Sequence, residues 1–238
     1  MNLNRTFPLL FIISVLMSFS VRAELSIQIT QGIDNPIPIA VVPFSWEGSG
    51  VLDEDIGEIV TADLQQVGEF RALSPSNMLA LPREEREVYY RDWSVLAQDY
   101  LLVGKVQRAP GSELIQVQYE FFDINREIKL AGEVLTGTTS QLRDIGHEIS
   151  NVVFELVTGT RGAFTTQILY IVSEFVSPEV SYFRLEKADY DGRRAQVLLE
   201  SREPIMSPSW SPNGQDIAYV SFETDLPRIY TQNIATGQ

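Results

Sequence analysis

The stretch Ser207-Pro-Ser-Trp-Ser-Pro-Asn-Gly-Gln-Asp-Ile-Ala-Tyr-Val-Ser-Phe222 decides how the chain is read. Its first part, up to Trp210, has the texture of a short strand, and Ile217 to Phe222 alternates as a second one. Between them Asn213-Gly214 supplies two residues that tolerate positive φ, as a two-residue hairpin turn requires, so the spacing predicts a hairpin. A lone hairpin buries little apolar surface and needs neighbours. Upstream lies a relative of the same pattern: Ile168-Leu-Tyr-Ile-Val-Ser-Glu174 matches Ile217-Ala-Tyr-Val-Ser-Phe-Glu223 at an offset of 49 (168 to 217), and the turn glycines Gly192 and Gly237 are 45 apart. Propeller blades recur at about 40–50 residues. A fragment of a sandwich or jelly roll would show the same texture.

N-terminal to Thr165 the texture is different. Leu25, Ile27 and Ile29 alternate with polar residues as a half-buried strand, and Pro36 and Pro38 interrupt it. Ile37 to Phe44 is nearly all apolar, as expected of a strand buried on both faces. Asp53 is placed to cap a helix whose Ile56, Ile59, Val60 and Leu64 share one face and which Gly68 stops. A short strand at Phe70 to Leu73 and an irregular stretch from Ser74 to Glu87 follow. A short helix at Asp92 to Gln98 then carries Trp93. Three strands are expected at Tyr100 to Val106, Leu114 to Phe122 and Lys129 to Thr136; the middle one alternates Val117, Tyr119 and Phe121 with Gln116, Gln118 and Glu120, giving one wet face. Leu142 to Val157 reads as an amphipathic helix ending at Gly159. The texture therefore reads as a signal peptide (1–23), an α/β domain of mixed sheet and helices (24–160) and, over 165–238, short strands that suit either the first, incomplete blades of a β-propeller or a sandwich fragment.

Residues 1–23 have the anatomy of a secretory signal: Arg5, an apolar run from Phe7 to Phe19 interrupted by serines, and Val21-Arg22-Ala23 as the cleavage site. Export of the mature chain follows, with no later transmembrane segment. Of 18 basic and 32 acidic residues, cleavage removes Arg5 and Arg22 alone, so 16 face 32 and the charge goes from −14 to −16. Such a chain is poorly suited to neutralising phosphates, and nucleic acid is not an expected partner. Cys is absent, which excludes disulfides, thiolate nucleophiles and cysteine metal sites.

Candidate chemistry is sparse. His147 is the single histidine; a Ser-His-Asp triad would need it, yet no nucleophile elbow is present, and its expected place is an exposed helix surface. One His without Cys argues against zinc, and no cofactor or other metal is expected. The acids Asp53, Glu54, Asp55 and Glu58 fit a helix start, and Arg83-Glu-Glu-Arg-Glu87 fits a solvated charge run. Asp189-Tyr-Asp-Gly192 fits a hairpin turn. The most suggestive feature is the mature N-terminus, Glu24-Leu25-Ser26-Ile27-Gln28-Ile29-Thr30-Gln31-Gly32-Ile33-Asp34-Asn35. A terminal strand of this kind either closes its own sheet or pairs with a partner by β-addition.

In order along the chain, Ile39-Ala-Val-Val-Pro-Phe-Ser-Trp46, Glu54-Asp-Ile-Gly-Glu-Ile-Val60, Ala62-Asp-Leu64, Val103-Gly104, Val153-Phe-Glu-Leu-Val-Thr-Gly159, Arg161-Gly-Ala-Phe-Thr-Thr166, Asp189-Tyr-Asp-Gly192 and Met206-Ser-Pro-Ser-Trp-Ser-Pro-Asn-Gly214 resemble the TolB family of the Tol–Pal system. Asn213 stands where those blades usually carry Asp. The resemblance implies an α/β domain followed by a six-bladed propeller, and a non-enzymatic periplasmic interaction protein supporting outer-membrane integrity, envelope constriction in cell division and protein import. It also implies partner binding of a TolA-like inner-membrane protein by Glu24 to Asn35, and of a Pal-like outer-membrane lipoprotein by the propeller. This chain ends around the third strand of the Trp210 blade, so most of that propeller surface is missing from it, and poor stability is expected for 165–238. The alternatives are a binding module for envelope glycans, using Trp46, Trp93 or tyrosines as stacking platforms, and a propeller-linked hydrolase dependent on His147.

Overall fold

The computed structural model describes residues 35–177, 180–224 and 226–237. The expected leader and the segment Glu24 to Asp34 lie outside the described residues.

The expected doubly buried strand is β1 (Ile37–Val41). Its side chains and that of the following Val42 divide between two cores: Ile39 and Val41 belong to one, Ala40 and Val42 to the other. Pro43, which has no N–H, ends the ladder, and the chain pairs again as β2 (Ser45–Trp46). Helix α1 (Ile56–Gln66) is capped by Asp55 rather than by the expected Asp53: the Asp55 carboxylate accepts the Glu58 amide at 3.0 Å. A capping side chain must reach an amide two or three residues on, and the backbone at Asp55 is still extended, so Asp53 lies too early. Gly68, with φ +77°, turns the chain out of α1 into β3 (Phe70–Ala72).

The Ser74 to Glu87 segment contains two single 3₁₀ turns, Pro75–Asn77 and Glu85–Glu87. Its charge run is not merely solvated. Glu84 accepts from Lys105 Nζ at 3.0 Å, Glu85 from Lys129 Nζ at 2.6 Å, and the Glu85 amide donates to the Glu120 carboxylate at 2.5 Å. The run thus ties the segment to the sheet. Helix α2 (Tyr90–Val95) starts two residues before the expected Asp92, and it stops early because Ala97 adopts φ 53° and the Gln98 amide returns to the Trp93 carbonyl. Trp93 itself is buried.

Strands β4 (Tyr100–Arg108), β5 (Ile115–Asp123) and β6 (Ile128–Gly137) form an antiparallel meander. The sheet runs β3-β1-β4-β5-β6, with β1 parallel to β3 and β4 and β2 parallel to β4. On β5, Val117, Tyr119 and Phe121 are buried while Gln116, Gln118 and Glu120 are half-buried on the other face, as the alternation predicts. Helix α3 (Leu142–Thr158) packs beside α1 over the larger core, ending at left-handed Gly159. The helices approach closely because Gly146 has no side chain: a Cβ there would lie 2.8 Å from Ile59 Cγ2.

Beyond α3 come two antiparallel sheets of three strands. One contains β7 (Gln167–Ser177), β8 (Val180–Asp189) and β9 (Gln196–Ser201); the other contains β10 (Ile205–Trp210), β11 (Asp216–Ser221) and β12 (Arg228–Asn233). Leu185, Ile205, Ile217 and Tyr219 form their buried core. The repeat in the sequence maps β7 onto β11, and the turn after β8 onto the turn after β12. The connection at Asn213-Gly214 differs from expectation. Of the two, only Gly214 has positive φ (68°); its amide bonds to the Ser211 carbonyl, and the Ser211 amide bonds to the Asp216 carbonyl. Asn213 instead accepts from the Ser211 hydroxyl at 2.6 Å and the Gln215 amide at 3.0 Å, which stabilises a longer loop.

Candidate functional site

Of the expected partner segment, only Asn35 belongs to the described residues, and it is exposed just before β1. The described residues bring together a different constellation, where the β8–β9 turn meets α1 and α3.

Helix α3 carries two buried stripes. Leu142, Ile145, Ile149 and Val153 face the sheet, while Arg143, His147, Ser150 and Asn151, spaced by three and four residues, form a polar stripe that is equally hidden. His147 is therefore not an exposed helix residue: it is 2% exposed, because α1, the turn after β8 and the segment preceding β7 cover that face of α3. Its Nδ1 lies 2.8 Å from Oδ2 of Asp63, a fully buried acid of α1. The other carboxylate oxygen of Asp63 accepts the Tyr190 hydroxyl at 2.5 Å. An ionised carboxylate only accepts, so the pairing makes His147 Nδ1 the protonated nitrogen, and Nε2 is left buried without a hydrogen-bond partner.

The Tyr190 ring stands edge-on to both His147 (5.4 Å between centroids) and Phe164 (5.4 Å), and Phe164 continues to Phe154 and Phe70. Burial first, and then the bond to Asp63 and the charge it carries, push the Tyr190 phenol far above its ordinary range. It is a neutral donor at every physiological pH. Around this buried centre run ion pairs: Arg143 reaches Asp191, Asp189 (3.5 Å) and Glu54 (3.5 Å), and Arg194 reaches Asp189 (2.7 Å) and Asp144. Lower on α3, Asn151 accepts the Phe164 amide at 3.0 Å and donates to the Thr165 hydroxyl at 3.1 Å.

Ligand atoms of Asp63, His147 and Asp191 lie within 4.8 Å of one another, but they do not suit a cation. Both oxygens of Asp63 already accept hydrogen bonds, and Asp191 is engaged by the Arg143 guanidinium. Hydrolysis fares no better, since the Ser150 hydroxyl beside His147 donates to the Gly146 carbonyl. The stacking platforms are reduced too: Trp93 is 1% exposed, and Trp46 is half-buried with its indole N–H on the Gly50 carbonyl.

The outer side of α1 lines two adjoining cavities. One, of about 320 Å³, lies between α1 and Val41, Pro43 and Pro75; the other, of about 220 Å³, lies between α1 and Arg143, Asp191 and Arg193. Asp55, Glu58 and Ala62 border both, so they form one groove across the helix. The acids expected to serve only the helix start thus also line a recess, and Glu54 pairs with Arg143.

Residues 25–130 match the family model of the TolB amino-terminal domain, and residues 154–238 match that of the TolB β-propeller domain. The chain is 44% identical over 227 residues to the Tol-Pal system protein TolB of Hahella chejuensis, covering 95% of this chain and 53% of that one. It is 42% identical over 230 residues to the protein of the same name from Pseudomonas fluorescens strain SBW25, covering 97% and 53%. The crystal structure of TolB from Acinetobacter baumannii superposes with a TM-score of 0.76 at 31% identity, over 90% of this chain and 51% of that one. The chain spans about half the length of the curated relatives it matches. No helix among the described residues is long and apolar enough to cross a membrane. With an α/β domain and antiparallel propeller sheets in the order that both models require, the chain belongs to the TolB family.

Proposed function

We propose that this chain is a non-enzymatic, periplasmic interaction protein of the Tol–Pal cell-envelope system. The observation that carries the reading is the match along nearly the whole chain to proteins named for that system, with both the amino-terminal and the propeller models in order. In this reading residues 1–23 are removed on export, 24–160 form the α/β domain and 165–238 contribute propeller blades. Glu24 to Asn35 engage a TolA-like inner-membrane protein by strand addition, and the propeller side serves a Pal-like outer-membrane lipoprotein. The biological role is support of outer-membrane integrity, of constriction during division and of protein import. The groove across α1 supports a binding role, because it combines apolar walls at Val41 and Pro43 with the charged groups Glu58, where the two cavities join, and Arg193.

The test is a titration of a TolA C-terminal domain against the chain from residue 24 and against one lacking residues 24–35. Binding by the longer form alone supports the assignment. Equal binding by both moves the partner site to another part of the α/β domain. Absence of binding by two folded proteins refutes the reading for this chain.

A further inference from the structure

Two turns in the propeller sheets leave their strands at the same register and are closed by a glycine amide, the one after β12 being one residue longer, and only the one after β8 reaches outward. After β12, the Gly237 amide bonds to the Asn233 carbonyl at 2.8 Å, and Asn233 Oδ1 accepts the amides of Ala235 and Thr236 at 3.1 Å each. After β8, the Gly192 amide likewise bonds to the Asp189 carbonyl at 2.9 Å, and the Arg193 amide bonds to Asp191 at 3.0 Å. Closing the turn therefore needs the side chain of neither Tyr190 nor Arg194. By strand register the residue matching Tyr190 is Ile234, since Asp189 and Asn233 pair with the first residues of β7 and β11 and the next amides donate to the Thr166 and Gln215 carbonyls. Ile234 packs into the core of its own two sheets, whereas Tyr190 leaves those sheets and packs against the core of the α/β domain.

We propose that the Asp189–Arg194 turn is a latch that joins the α/β domain and the first propeller sheet into one cooperative unit, with Tyr190 as its bolt. The bolt is held from three sides. Its amide donates to the Thr166 carbonyl at 3.1 Å, its ring lies between His147 and Phe164, and its hydroxyl ends on Asp63. Asp63 is 1% exposed, so opening the latch would leave one oxygen of a buried carboxylate without its donor until water enters. Arg194 adds a second fastening. It is a non-glycine residue at φ 52°, an unfavourable backbone geometry, and this places its guanidinium between Asp189 of the turn and Asp144 of α3. The cavity of about 220 Å³ is lined from both sides, by Glu54, Asp55 and Glu58 and by Asp191 and Arg193. Its shape depends on a closed latch, and anything bound in it is coupled to latch closure by linkage. The inference is independent of which partner binds.

Hydrogen exchange of the full mature chain tests it, with Tyr190→Phe and Arg194→Gly compared with wild type. Loss of a charge-assisted hydrogen bond at the bolt is expected to speed exchange of the β7–β9 amides roughly tenfold to a hundredfold in Tyr190→Phe. Amides of β1, β4 and β5 keep their protection. Arg194→Gly retains the left-handed turn, removes the fastening and gives the same selective pattern at smaller amplitude; it decides the matter if Tyr190→Phe does not fold. Unchanged exchange in the folded variants, or an equal rise in both parts of the chain, overturns the latch.

Discussion

Replacing Asp63 with Ala removes the shared acceptor of two buried donors, His147 Nδ1–H and the Tyr190 hydroxyl, at 2.8 and 2.5 Å. Neither can turn to bulk solvent: His147 is 2% exposed, and the Tyr190 hydroxyl is directed at the 1%-exposed acid. Each orphaned donor costs about 1–3 kcal/mol, so the substitution should destabilise by roughly 2–6 kcal/mol. Against a typical stability of about 5–15 kcal/mol that is a large fraction. Asp63→Asn should fall between, because its carboxamide oxygen still accepts from one donor while its NH₂ opposes the other. The assay is urea unfolding followed by circular dichroism, with stability taken from the midpoint at constant slope. The decisive comparison repeats Asp63→Ala in a His147→Phe, Tyr190→Phe background, where no donors remain to be orphaned. There the cost should drop to about 1 kcal/mol or less, the non-additivity expected of groups acting as one network. A cost below about 1 kcal/mol in the native background, or the same cost in both, would refute the reasoning.

Two further outcomes follow from close contacts and from burial. A Cβ added at Gly104 would lie 2.2 Å from the Phe44 ring and 2.6 Å from the Gln118 carbonyl oxygen, so Gly104→Ala should cost about 1–3 kcal/mol. Phe44→Leu should recover only the part owed to the ring, and thermal melts of the single and double variants would show no such recovery if the backbone contact alone matters. Burial, assisted by the charges of Glu133 and Glu148, pushes the Tyr119 phenol up to about 12. A raised value of this kind contributes stability that is complete below the unfolded value near 10 and is lost as pH climbs to about 12. Tyrosinate absorbance should therefore show one fewer late-titrating phenol in Tyr119→Phe than in the wild type, with Tyr190 titrating later still in both; titration of all nine tyrosines in one step near 10 would contradict the assignment.

What was legible in the sequence had a local cause. The alternation of Val117, Tyr119 and Phe121 with Gln116, Gln118 and Glu120 announces a strand with one dry face, and the strand has it. Gly68 and Gly159 end helices because a left-handed residue is needed there, and both adopt positive φ. Where a local signal had two solutions, the reading slipped. Asp53 and Asp55 both resemble caps, and only the backbone at Asp55 shows which is used. Asn213-Gly214 suits a two-residue turn, but the side chain of Asn213 stabilises a longer loop that needs positive φ at the glycine alone.

The buried centre had no local cause, and this is why it went unseen. Asp63 and His147 are 84 residues apart, and Asp63 and Tyr190 are 127 apart, so no spacing rule connects them. A trace was nevertheless present in each helix. Asp63 follows Ile56 by seven positions and Ile59 by four, which sets a carboxylate on the apolar face of α1. On α3, Arg143, His147, Ser150 and Asn151 repeat with the same period beside the apolar stripe. A charged group on a helix face that ought to be buried is costly unless a partner arrives from elsewhere in the chain. Reading the two polar intrusions together would have required the acid of one helix and the histidine of the other to meet. It would not have supplied the third member, because Tyr190 sits in a turn whose backbone pattern is satisfied without its side chain. Its role follows only from the direction it takes: away from its own sheets and toward an acid that already has one partner.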